Sequence, residues 1–206
     1  MRDLEIRGAG NLLGAEQSGH LDSVGYDMFM KILNDAVLEE KGETVTERTD
    51  CVVDLSIDAY IPEKYVPTPS ERMDLYRKIA SIRSGEDADD LKDECLDRFG
   101  DIPRSVENLF RVALLRALAE GLLCEKIFQQ KGKLIFTFES ADNEAILLVG
   151  AVYASRLTIS FTGKPILRLT LKEKESPLNQ ARELLEHLAA FQKEIKANST
   201  ETERKQ

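Results

Sequence analysis

Between Pro69 and Ala117 the apolar residues recur every three or four positions, and from Glu125 onward the spacing falls to two. This change of period narrows the fold more than any other feature. A 3.6-residue repeat belongs to a helix with one buried face, and a two-residue repeat to a half-buried strand. The first block divides into three helices. Thr68-Pro69-Ser70-Glu71 has the form of a capping box, with Thr68 as N-cap, Pro69 at N1 and Glu71 at N3. The helix that follows carries Met73, Tyr76, Ile79 and Ala80 on one face. A second helix opens on Glu86, Asp87, Asp89 and Asp90, which suits the positive end of its dipole, and stops at Phe99-Gly100. Pro103 starts a third, with Val106, Leu109, Phe110, Ala113 and Ala117 inward.

The two-residue spacing predicts a hairpin around Gln130-Lys131-Gly132-Lys133, between Ile127-Phe128 and Leu134 to Phe138. Ser140 stands as cap of a helix reaching Ala154. Strands over 157–161 and 166–171 flank Thr162-Gly163-Lys164-Pro165, and Ser176-Pro177 opens a last helix with Leu178, Ala181, Leu185, Leu188 and Ile195 in register. An earlier strand is predicted where Val53, Leu55, Ile57, Ala59 and Ile61 alternate with polar residues. Ahead of it, Asp22-Ser23 caps a helix striped by Met28, Phe29, Ile32, Leu33, Ala36 and Val37 and ended by Gly42. The expected order is α-β-ααα-ββαββα. Helices and strands are largely segregated, so the fold class is α+β with a small, mainly antiparallel sheet.

The net charge of −9 argues against a protein that grips phosphate backbones unaided. No apolar run approaches the roughly 18 residues of a membrane span. Cys51, Cys95 and Cys124 are odd in number and widely spaced, so they read as small buried apolar residues in a reducing, cytoplasmic setting. His20 and His187 stand apart without metal-ligand spacing, and no metal site is expected.

Four glycines, Gly8, Gly10, Gly14 and Gly19, fall between Arg7 and His20. Glycine costs about 1 kcal/mol in a helix interior, so this stretch is loop. Two phosphate-binding patterns come near it and fail. Gly8-Ala-Gly10-Asn-Leu-Leu-Gly14 is one residue too long for the dinucleotide fingerprint and follows no apolar strand. Gly14-Ala-Glu-Gln-Ser-Gly19 has the spacing of a nucleoside-triphosphate loop, but His20-Leu21 stand where a Lys and a Ser or Thr are needed. A plain connector and a switch loop that permits movement both fit the spacing.

The run Arg2-Asp-Leu-Glu-Ile-Arg-Gly-Ala-Gly-Asn-Leu-Leu-Gly-Ala-Glu-Gln-Ser-Gly19 resembles the translocation motif shared by RecG-type helicases and bacterial transcription-repair coupling factors. Val24-Gly25-Tyr26 through Val37, Arg72 to Ala80, and Leu96-Asp-Arg-Phe-Gly-Asp-Ile-Pro103 resemble the coupling factors specifically. The resemblance covers nearly the whole chain and implies the C-terminal part of a larger ATP-driven translocase of double-stranded DNA. In that family the parent displaces RNA polymerase stalled at a lesion and recruits the excision-repair protein UvrA.

On this resemblance, residues 1–44 are a remnant of the second helicase lobe with the motif loop. Residues 45–196 are the C-terminal regulatory domain, and 197–206 a polar tail. The motif residues are Arg7, Gly8, Gly10, Gly14, Gln17 and Gly19; in the family Arg7 and Gln17 link lobe movement to the grip on DNA, roles that a bidentate guanidinium and a switchable amide suit. The regulatory domain masks the parent's own N-terminal UvrA-binding module through positions matching Glu94, Asp97 and Arg98. Their i, i+3, i+4 spacing puts both charge signs on one helix face, with Leu91, Cys95 and Phe99 on the core side.

The chain carries no ATP-binding loop and no acidic magnesium motif, so no catalytic residue and no cofactor are expected in it. ATP and magnesium belong to the parent. Residues 1–50 hold 5 basic and 11 acidic side chains, a balance of −6, and DNA binding by this chain alone is expected to be weak. A free-standing protein- or DNA-binding module and, more remotely, a phosphate-binding enzyme are the alternatives.

Overall fold

The computed structural model describes residues 51–203, with side-chain surroundings given through residue 198. The elements are β1 (Val52–Asp54), α1 (Pro69–Ala80), α2 (Gly85–Phe99), α3 (Arg104–Gly121), β2 (Cys124–Gln130), β3 (Lys133–Phe138), α4 (Asn143–Tyr153), β4 (Leu157–Ser160), β5 (Ile166–Thr170) and α5 (Pro177–Glu203). A single 3₁₀ turn, Ala154–Arg156, joins α4 to β4. The class is α+β, in the order the sequence predicts from residue 51 onward.

The five strands form one sheet in the order β1-β2-β3-β5-β4. β1 is parallel to β2, and every other pair is antiparallel. The hairpin between β2 and β3 turns on Lys131 (φ 48°) and Gly132 (φ 73°). Positive φ at both central residues gives a turn whose twist matches that of the flanking strands. Register then aligns Val53, Ile127, Phe136, Leu167 and Ile159 in one row across all five strands. Four of these five are buried, Ile159 partly so. Helices α3, α5 and α4 cover this face, with α4 packed on α5 and β4.

Two apolar cores result. One lies between the sheet and α3, α4 and α5, and includes Val53, Ile127, Phe136, Leu167, Leu184 and Leu188. The other joins α1, α2 and α3 through Leu75, Ile79, Leu91, Cys95, Leu109 and Phe110. Helix α3 serves both: Val112, Leu115 and Ala119 face the sheet, while Val106, Leu109, Phe110 and Ala113 face α1 and α2. Ala117, predicted inward, is only partly buried, because α3 turns two other stripes into the cores.

Two buried polar side chains, Gln180 and Arg116, are tied into the fold, although Arg116 Nε and Glu120 Oε1 face each other without a hydrogen bond. Gln180 is 1% exposed. Its amide donates to the carbonyls of Lys172 and Glu175, and its Oε1 accepts from Lys172 N–H (3.0 Å) and the Arg156 guanidinium (2.9 Å). That satisfies an amide which would otherwise cost several kcal/mol to bury. Arg116, 5% exposed, donates to the carbonyl of Ala80 and lies 3.5 Å from Glu120, anchoring the end of α1 to α3.

Several local expectations differ from the structure. The strand predicted over 53–61 is paired only at Val52–Asp54. The rest alternates in burial without pairing: Leu55 and Ile57 lean on the sheet core, Ala59 and Ile61 on the helical core. A two-residue period reports which side a chain faces, and an extended connector crossing between two cores has one as much as a strand does. Thr68 is the N-cap of α1 but makes no side-chain cap bond. The capping box sits one helix later, where Ser84 Oγ accepts from Asp87 N–H at 3.1 Å and Asp87 accepts from Ser84 N–H at 2.9 Å. Asp142, not Ser140, caps α4, taking the N–H groups of Glu144 and Ala145. The polar tail expected from residue 197 continues α5 as helix through Glu203, since nothing in Ala197-Asn-Ser-Thr-Glu breaks a helix already nucleated. The cysteines are buried, as expected.

Phe136 lies at the centre of the inner row, fully buried between β2 and β5. Phe136→Ala is expected to destabilise the domain by about 3–5 kcal/mol. Urea denaturation would show this as a lower midpoint at an unchanged slope.

Candidate functional site

The short connector 81–84 folds α2 back along α1, and their facing charges pair as rungs between antiparallel helices. Lys78 near the end of α1 meets Glu94, its ammonium 2.6 Å from both carboxylate oxygens. One turn further along α2, Arg98 donates to the same carboxylate at 2.7 Å. The guanidinium reaches on to Glu71 at the start of α1 (3.2 Å) and lies 4.8 Å from the centre of the Phe99 ring. Glu71, Lys78, Glu94 and Arg98 therefore make one alternating chain of charge across the helix pair.

Electrostatics follow from the contacts. Hydrogen bonding from Lys78, and then from Arg98, holds the Glu94 carboxyl below the ordinary glutamate range. Glu94 in turn pushes the Arg98 guanidinium up. Beneath them, Leu91 and Cys95 are buried, and burial raises the Cys95 thiol. Tyr65 packs edge-on against Phe99 and points its hydroxyl at the carbonyls of Cys95 and Gly100; desolvation pushes its phenol up to about 12.

Of the three residues expected to act together, the structure joins Glu94 and Arg98 and leaves Asp97 apart. Asp97 is exposed and, among the described residues, has no ion-pair partner. Leu96 beside it is 47% exposed. The helix end thus presents the Asp97 carboxylate and an open leucine next to a neutralised pair, with Asp93 and Asp101, likewise exposed and without an ion-pair partner among the described residues, on either side. Lys78 and Glu71 are participants that residue spacing on α2 alone did not reveal. The antiparallel return forced by the short 81–84 connector is the signal that brings them in.

Alongside runs a shallow groove of about 560 Å³, lined by Lys78, Arg83, Asp87, Asp90, Leu91 and Glu94 among others. Its walls carry both charge signs, and the one hydroxyl among them, Ser81, donates to the Lys78 carbonyl at 2.8 Å. Among the described residues no group of three His, Cys, Asp or Glu side chains could hold a metal ion. His187 is engaged with the Tyr153 hydroxyl at 3.1 Å. No helix among the described residues is long and apolar enough to cross a membrane. Arg7, Gly8, Gly10, Gly14, Gln17 and Gly19 lie outside the described residues.

The pairs on Glu94 are solvent-exposed, and exposed ion pairs contribute about 0–1 kcal/mol. Because the folded carboxyl is held low, this stabilisation is present above the ordinary glutamate value and is lost as pH falls through the lowered one. Glu94→Gln is therefore expected to lower stability by no more than about 1 kcal/mol at neutral pH. The gap between variant and parent should close once the carboxyl is protonated in both folded and unfolded states. Paired urea titrations at neutral and acid pH measure it.

Residues 55–147 match the TRCF domain family. Over 180 residues, 84% of its length, the chain is 38% identical to the transcription-repair-coupling factor of Bacillus subtilis (strain 168). Such a match is longer than everything from residue 51 onward, so it extends into the first fifty residues. Over 139 residues, 66% of the chain, it is 40% identical to the transcription-repair-coupling factor of Staphylococcus epidermidis (strain ATCC 12228 / FDA PCI 1200). The chain spans only 15% and 12% of the lengths of these relatives. A crystal structure of the C-terminal domain of transcription-repair coupling factor shares the fold, with a TM-score of 0.61 at 21% identity, covering 72% of this chain and 99% of that one. On these matches the chain belongs to the transcription-repair-coupling factor family.

Proposed function

We propose that this chain is the C-terminal part of an ATP-dependent translocase of double-stranded DNA that displaces stalled RNA polymerase and recruits the excision machinery through UvrA. The TRCF domain acts within it as an autoinhibitory element, docking on the parent's N-terminal UvrA-binding module and masking it. The loop bearing Arg7, Gly8, Gly10, Gly14, Gln17 and Gly19 acts on the helicase side, coupling ATP hydrolysis to movement on DNA. ATP and magnesium would be held by the parent's helicase lobes, and the chain alone is expected to hydrolyse no ATP.

The observation that carries the masking role is the division of labour on the last turns of α2. Glu94 and Arg98 neutralise each other and are braced by Lys78 and Glu71, whereas Asp97 projects without a partner among the described residues. A rim carboxylate of this kind sets orientation and association rate with a basic partner surface. Asp97 is accordingly the leading recognition residue, with Glu94 and Arg98 as a preorganised flank.

The test is binding between this chain and the separately produced N-terminal module. Asp97→Lys is expected to weaken binding at least tenfold and to lower its salt sensitivity, while Glu86→Lys at the opposite end of α2 leaves it unchanged. Arg98→Glu is expected to weaken it as well, having lost both its own charge and the bond to Glu94. Binding that survives reversal of both Asp97 and Arg98 would remove this helix end from the contact.

A further inference from the structure

The three helices that pack on the sheet core, α3, α4 and α5, lie on one side of the sheet, and the opposite face carries no packed helix among the described residues. The inner residues of the strands are buried, Gln129 and Ile159 partly, whereas none of the outer ones is. Strand register fixes what the outer face displays. One cross-strand row reads Asp54, Phe128, Ile135, Arg168 and Thr158, and the next reads Val52, Lys126, Thr137, Ile166 and Ser160. Lys133 extends the face at the hairpin end, beside Gln130 and Thr170.

In a chain of net charge −9 this face reverses the sign. Lys126, Lys133 and Arg168 stand against the single carboxylate of Asp54. None of the three cations has a carboxylate partner among the described residues. Phe128 lies half-buried among them, with the Lys126 ammonium 5.0 Å from its ring centre. Arg168 lies in the same row two strands away, about 10 Å across the sheet. The ring and the guanidinium are both planar groups on which a nucleobase stacks, and Ile135 fills the step between them.

We propose that the open face of the sheet binds single-stranded RNA, with Phe128 and Arg168 as stacking positions and Lys126 and Lys133 as phosphate contacts. The aromatic ring on the face favours bases over a peptide: an acidic peptide would meet the cations but offers no planar group to Phe128. RNA rather than DNA follows from the hydroxyls of Thr137, Thr158 and Ser160 along the same rows. Each both donates and accepts, as a 2′-hydroxyl requires. The face accommodates two or three bases, the number other open sheets stack, so affinity is modest and salt-dependent. This inference is independent of the masking role of α2, which is on a different part of the domain.

The experiment is fluorescence anisotropy of a labelled oligouridylate of about 12 nucleotides with the full chain at about 50 mM salt, where phosphate contacts are strong. Saturable binding is expected, with a salt slope of about −1.4 from the two phosphate-contacting lysines at roughly 0.7 each. The double reversal Lys126→Glu with Arg168→Glu should lower affinity at least tenfold. Phe128→Leu, which keeps the apolar volume but removes the ring, should lower it several-fold with an unchanged circular dichroism spectrum, and Asp97→Lys should not alter it. Absence of binding overturns the proposal, as does equal affinity for oligothymidylate. Displacement by polyglutamate together with an unaffected Phe128→Leu variant overturns it in favour of an acidic protein partner.

Discussion

Helix α3 buries two opposite stripes, one against the sheet and one against α1 and α2. A helix apolar on most of its circumference belongs in an interior, and here it becomes the wall between two cores. Neither core closes without it. Among the described residues the helical pair otherwise packs on connector residues, among them Ala59, Ile61, Tyr65 and Val66, and the edge of the sheet beside β1 and β2 rests on the second stripe of α3. Arg116 makes the dependence specific as well as apolar: a buried guanidinium that ends on the Ala80 carbonyl fixes where α1 stops relative to α3. The position of Lys78, and through it the orientation of Glu94, rests on that anchor.

The charged helix end is thus a surface feature with an interior cause. Leu91 and Cys95 bury one side of α2, which leaves Glu94, Asp97 and Arg98 on the other. The return of the chain through residues 81–84 sets Lys78 and Glu71 opposite two of the three. Weak as each exposed pair is, the arrangement determines which charge is spent within the domain and which faces outward.

Much of this was legible in the sequence because its periods are clean. The hairpin at Lys131-Gly132, the stops at Gly100 and the inward residues of α2 follow from glycine's tolerance of positive φ and from helical spacing. What escaped was non-local. Alternation from Val53 to Ile61 records two cores on either side of a connector, and no local signal distinguishes that from a ladder. Thr68 has the right identity for a cap bond but does not make one, while Glu71 is drawn toward Arg98, 27 positions away. Ser84 stands directly before an acidic run that by itself signals a helix start, so its cap bond to Asp87 has no distinct mark in the sequence. The partners of Glu94 became visible only with the helix pairing, and the outer face of the sheet only with the register.

The parallel pairing of β1 with β2 has a consequence for how the domain opens. Three residues of β1 are held to a strand whose partners in register lie more than seventy positions later, after all of α1, α2 and α3. Closing so long an excursion costs chain entropy that a short pairing recovers poorly, so β1 is the strand expected to exchange its amide protons first. Its departure would bare the edge of β2 and loosen Val53 from the inner row while the antiparallel strands stay joined. The sheet is therefore held most lightly at the one strand that also receives the chain from the preceding fifty residues.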